Sequence, residues 1–158
     1  MYVLISEIDL VEVLNLDKSM SVGKIDVILE NLSKETYFRF LFEELPKLLK
    51  KKDYEEISER YKTNDDMDEL MDELVERWPD LHIEFRLQVI SNTIKKEFII
   101  NYLTDMKSDY KDSLNKDSLY LDIDKLITEI QKEQINKDLC WKIKDEMGKR
   151  INIINKAT

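Results

Sequence analysis

Two glycines and two prolines in 158 residues leave this chain few means of turning sharply. The tight turns of an all-β chain need residues that accept a positive φ or arrive with φ already set, so such a fold would require many more of both. Helices joined by short polar connections need neither, and the abundance of Leu, Ile, Glu and Lys suits them. Hydrophobic residues make up 42%, which is enough for a core and argues against wholesale disorder. A chain this long fits one domain that buries roughly 70% of its unfolded surface. The expected fold is all-α: a single-domain helical bundle over residues 1–158, or a short helical-repeat stack, of about six to eight helices.

Apolar periodicity and capping residues place the elements. Tyr2 to Ile5 reads equally as a short strand or, with Ser6 and Asp9 behind it, as the approach to a helix. Ser21 to Leu32 predicts a helix with Val22, Ile25, Ile28, Leu29 and Leu32 on one stripe. Ser33 is placed to cap a second helix carrying Tyr37, Phe38, Leu41, Phe42 and Leu45. Pro46 then kinks that helix or starts another, and Lys50, Lys51 and Lys52 suit a helix C-terminus. Asp53 with Glu56 forms a capping-box-like start to a helix ending near Tyr61. Asn64 and Asp65 offer caps for the clearest helix, where Met67, Leu70, Met71, Leu74, Val75 and Trp78 recur at helical spacing. Asp80 can cap a helix running towards Met106, with a break near Ser91 and Asn92. The stretch 107–118 is polar and reads as a linker. A C-terminal helix pair over 122–155 closes the chain, its second member beginning at Asn136.

The only two prolines, Pro46 and Pro79, lie 33 residues apart in matching surroundings. Sliding the first segment by that interval pairs Leu41 with Leu74, Leu45 with Trp78, Leu48 with Leu81, Tyr54 with Leu87, Ile57 with Ile90 and Tyr61 with Ile94. Phe40 with Glu73 and Leu49 with His82 break the match. A period of this length marks helical-repeat units that bury an apolar face by stacking. The run Glu44-Leu45-Pro46-Lys47-Leu48-Leu49, followed by Asp53 and Arg60, resembles a HEAT-type repeat, with a proline in the first helix and an aspartate near the turn. The resemblance covers about two units, residues 34–95, and implies a stacked helical binding surface. Arg86 stands where the counterpart of Asp53 would fall, and no Asp/Arg ladder runs between the units.

Net charge is −9, and it is concentrated. Between Asp53 and Asp80 stand twelve acids against three bases, Arg60, Lys62 and Arg77, so this segment carries the whole excess. Asp65, Asp66, Asp68, Glu69, Asp72, Glu73 and Glu76 follow one another with no base between them. Like charges at i,i+4 weaken a helix by about a few tenths of a kcal/mol each. A solvated face that aids solubility explains such a run. Docking of a basic protein also explains it, because the field would speed that partner's approach. Nucleic acid is disfavoured as a direct partner, since phosphate would be repelled.

The residues exclude several chemistries. His82 is the only histidine, so sites needing two or three imidazoles within one chain are ruled out. His82 reads as a helix-surface or boundary residue, and Cys140, beside Trp141, as a small buried filler. Gly23 and Gly148 are isolated, so there is no phosphate-binding loop and no cofactor is expected. Asn64, Asp66 and Asp68 have the spacing that opens an EF-hand loop. Glu69 and Val75 stand where its glycine and bidentate glutamate belong, and that reading fails. One enzymatic alternative has support: Glu56 with Glu59, and Glu69 with Asp72, resemble the paired motifs by which all-α nucleotide pyrophosphohydrolases hold Mg²⁺. The linking segment, Arg60 to Asp68, is shorter than that family shows.

With one cysteine, no signal-peptide pattern in Met1 to Glu7 and no apolar run of membrane-spanning length, the chain reads as cytoplasmic, with no membrane partner. The leading expectation is a non-enzymatic acidic binding module: an inhibitor or immunity-type protein that blocks a basic partner surface, such as that of a nuclease. Mg²⁺-dependent nucleotide hydrolysis is the enzymatic alternative, and a structural or assembly subunit is the third.

Overall fold

The computed structural model describes residues 2–14, 16, 20–63, 66–109, 116–132, 134–143 and 145–146. The protein is all-α, with seven α-helices of defined bounds, a further helical stretch after them and one short strand pair among the described residues. In chain order these are β1 (Tyr2–Leu4), α1 (Leu10–Leu14), α2 (Val22–Arg39), α3 (Leu45–Leu48), α4 (Lys51–Thr63), α5 (Met67–Arg77), α6 (Ile83–Asp109), α7 (Lys116–Gln131) and β2 (Gln134–Asn136). Residues 137–143 and 145–146 are helical again. No helix among the described residues is long and apolar enough to cross a membrane. The chain divides into two compact units, Val27–Ile94, and Met1–Asp26 together with Lys95–Thr158.

In the second of these, the ambiguous start of the chain is a strand. β1 pairs antiparallel with β2, Val3 opposite Ile135, across more than a hundred residues of sequence. Local capping is as the side chains suggest. The Asp9 carboxylate accepts from the Val11 and Glu12 amides at 2.9 and 3.4 Å and starts α1. Asn136 ends β2 and accepts from the Asp138 and Leu139 amides, opening the last helix. Ile99, Leu103 and Met106 of α6, and Leu119, Ile123, Leu126 and Ile130 of α7, are buried at helical spacing. Of the expected linker, 107–109 belong to α6 and 116–118 to α7, while 110–115 lie outside the described residues, as do 144 and 147–155 of the expected closing helix. Cys140 is buried.

The Val27–Ile94 unit departs from expectation at several joints. Ser33 starts no helix: α2 runs unbroken from Val22, where Ser21 Oγ accepts from the Lys24 amide, to Arg39. A tertiary frame overrides the local capping preference of a serine that costs a helix interior little. The α2 stripe is also not uniformly buried, since Val22 and Leu29 are exposed and Ile25 is inside. From Phe40 to Glu44 the helix widens into a π turn, closed by the Leu45 amide donating to the Phe40 carbonyl. Pro46 supplies the reason: it has no N–H to give and its ring would clash with the carbonyl one turn back, so the preceding turn opens. Lys51 and Lys52 lie in the first turn of α4, not at a helix C-terminus, and Asp53 lies inside that turn rather than capping it.

Pro79 does something different from Pro46. It opens a 3-10 turn, Pro79–Leu81, and α6 starts only at Ile83, so Asp80 is no cap. The matched pairs Leu41/Leu74 and Ile57/Ile90 are all buried, whereas Phe38 is exposed and its counterpart Met71 is not. α6 is continuous through Ser91 and Asn92. Within this unit its buried residues Ile83, Ile90 and Ile94 follow helical spacing. The core of this unit is Phe40, Leu41, Leu45, Ile57, Met71, Leu74, Ile83, Ile90 and Ile94.

His82, between the 3-10 turn and α6, is exposed and left-handed at φ 53°, ψ 48°. A side chain in that region costs roughly 1–2 kcal/mol, while glycine there gives back part of the gain as unfolded-state entropy. His82→Gly is therefore expected to stabilise the protein by about 0.5–1 kcal/mol. A urea midpoint unchanged or lowered by the substitution would contradict it.

Candidate functional site

α5 is built so that one face is apolar and the other acidic. Leu70, Met71 and Leu74 are buried, and the acids at 68, 69, 72 and 76 are exposed on the side away from them. The helix starts at Asp66, whose carboxylate accepts from the Glu69 amide at 3.1 Å. Asn64 and Asp65 lie outside the described residues.

The acids expected to meet a partner fall into distinct environments. Asp66 is engaged as the cap. Asp68 Oδ1 accepts the Tyr37 hydroxyl of α2 at 2.7 Å. Glu73 is held by both terminal nitrogens of Arg60 from α4, a two-pronged Arg–carboxylate pair. Glu69, Asp72 and Glu76 are exposed and make no ion pair with any described residue. Of the six described carboxylates of the run, these three are exposed without an ion pair to a described residue, on one face of α5.

The segment's three bases are all used internally. Arg60 takes Glu73, and Lys62 takes Glu59 at 3.3 Å. Arg77 reaches Glu56 through two bonds of 2.9 and 3.2 Å, lies 4.0 Å from Asp53, and covers the Trp78 ring at 4.4 Å. The Arg60–Glu73 and Arg77–Glu56 pairs join α4 to α5. Arg60 and Arg77 hold Glu73 and Glu56 below the ordinary glutamate range, chiefly through their hydrogen bonds. The stability this gives is present above the ordinary value of 4.5 and is lost as pH falls through the lowered values. Both pairs are well exposed, so salt screens them.

The four carboxylates of the hydrolase alternative are not gathered. Glu56 and Glu59 are each tied to a cation, and among the described residues no group of three or more His, Cys, Asp or Glu is placed to hold a metal ion.

Tyr37 reports on the field of this surface. Its bond to Asp68, then its burial, then the charges of Asp68 and Asp72, push its pKa up to about 12. The folded state favours the protonated phenol, so the contribution is complete below the ordinary value of 10.0 and disappears as pH rises towards 12. Tyr37→Phe is expected to cost about 1 kcal/mol at neutral pH and to flatten the decline across that alkaline window. Urea melts of both proteins below and within the window check it. A wild type that declines no more steeply than the variant would count against the bond.

Phe38 and Phe42, named in sequence with the apolar residues of their helix, are 51% and 38% exposed. Their rings lie 4.6 Å apart, and Phe42 meets Tyr61 of α4 edge-on at 5.3 Å. The signal was present: from Tyr37 to Phe42 every residue but Arg39 is apolar, and no helix buries its whole circumference at the edge of a core. Phe40 and Leu41 take the inside, which turns Phe38 and Phe42 outward.

Comparison with protein-family models, with curated proteins and with solved structures finds no match to this chain.

Proposed function

We propose that this protein is a non-enzymatic binding module whose α5 face docks a basic protein surface, acting as a stoichiometric inhibitor or immunity-type protein against a partner such as a nuclease. One observation carries the reading. Glu69, Asp72 and Glu76 point away from the core with no ion pair among the described residues, although three bases are close enough in sequence to have served them. Those bases are paired with Glu73, Glu59 and Glu56 instead. A face of exposed carboxylates without ion pairs favours the approach of a cation. Solubility alone is served as well by interspersed charges of both signs.

The test is kinetic. The purified chain is used to isolate a cationic partner, and the association rate of the two purified proteins is then followed against salt. The rate is expected to fall steeply as ionic strength rises, because exposed charges are screened beyond about 8–10 Å. If the partner is a nuclease, its activity should end at equimolar addition. An association rate indifferent to salt would remove the basis of the proposal.

A further inference from the structure

We propose that Phe38, Phe42 and Tyr61 form the anchor seat for a short basic segment of the partner protein, one with apolar side chains set among its lysines and arginines. This rests on the reading of α5 as the face that meets a cationic protein, and names the part of the partner it would grip.

The three rings form one continuous surface drawn from α2, its π turn and α4. Each ring is held by its neighbour, so little side-chain freedom is lost on docking. Large, exposed, preorganised aromatics are the residues that most often anchor protein interfaces. Phe38 and Phe42 are one helical turn apart, about 6 Å, which suits one or two apolar side chains rather than a broad hydrophobic interface.

Charge decides what sits there. The bases of α2 nearest the patch are neutralised within the helix, Lys34 by Glu30 at 3.0 Å and Arg39 by Glu35 at 2.6 Å. Glu43, next to Phe42, is exposed. Tyr37, next to Phe38, is bonded to Asp68 and feels the charge of Asp72. The unit Val27–Ile94 holds seventeen acids against ten bases, so it carries −7 of the chain's −9. A phosphate-bearing or acidic occupant is repelled from this rim. A basic segment is drawn to it, and its apolar side chains find the rings.

The test uses two lysine-rich peptides of equal length and charge, one with two leucines four residues apart and the other with serine at both places. Isothermal titration at low salt is expected to show the leucine peptide binding the wild type about tenfold more tightly or better. In the Phe38→Ala/Phe42→Ala variant that advantage should vanish while the serine peptide binds as before. In a Glu69→Lys/Asp72→Lys/Glu76→Lys variant both peptides should weaken together and the advantage should persist. Should the double alanine variant lose its helical circular dichroism, Phe38→Ala alone, at the more exposed ring, serves the same comparison. Equal binding of the two peptides to wild type, or an advantage that survives loss of the rings, overturns the anchor seat. Indifference of both peptides to charge reversal overturns the reading of α5, and the seat with it.

Discussion

Replacing Leu74 with aspartate will unfold the Val27–Ile94 unit, seen as loss of its share of the far-ultraviolet helical signal at neutral pH. Leu74 is 0% exposed and belongs to the cluster that includes Phe40, Leu45, Ile57, Met71 and Ile90. Truncating a buried leucine costs about 2–5 kcal/mol before any charge is considered. A carboxylate there adds several kcal/mol more, whether it stays ionised without a partner or takes up a proton against its ordinary pKa. The total is comparable to the roughly 5–15 kcal/mol by which a typical domain is stable. Leu74→Met, which keeps volume and polarity, should cost under about 1.5 kcal/mol and provides the control. An aspartate variant that keeps its helical signal and melts within a few degrees of wild type would show that this cluster is not what holds the unit together.

Reversing the acidic face gives the opposite separation of effects, with binding lost and fold kept. In the Glu69→Lys/Asp72→Lys/Glu76→Lys variant the buried residues Leu70, Met71 and Leu74 are untouched, and tertiary burial rather than surface charge sustains such a helix. Its circular dichroism and urea midpoint should stay near those of wild type. Association with the basic partner should slow on the order of a hundredfold at low salt, within the 10–10³ range that electrostatic steering commands. The two rates should converge as salt rises, since screening removes attraction and repulsion alike. Stopped-flow mixing over a salt series measures both. If the variant associates as fast as wild type at low salt, the open acids serve only hydration.

Read together, the two substitutions ask which face of one helix does what, and the helix itself was legible in sequence. Met67 to Trp78 shows its period because every apolar residue there faces one way. The sorting of its acids was not legible. Glu73 and Glu69 are both acidic residues of one run, and nothing nearby in sequence says that Arg60, on another helix, will take the first and leave the second. The hydrolase alternative met the same obstacle, because the spacing of Glu56 and Glu59 does not reveal that Arg77 and Lys62 will claim them.

What the sequence by itself determined is whatever depends on near neighbours. The scarcity of glycine and proline dictates helices, and Asp9, Ser21 and Asn136 start theirs because a cap needs only amides two or three residues ahead. The tertiary structure decided the rest. It carried α2 past Ser33 and α6 past Asn92, paired Val3 with Ile135, and turned Phe38 outward while Phe40 went in. Each of these outcomes weighs a local preference of about a kcal/mol or less against burial worth several, and which side chains are buried depends on partners far along the chain.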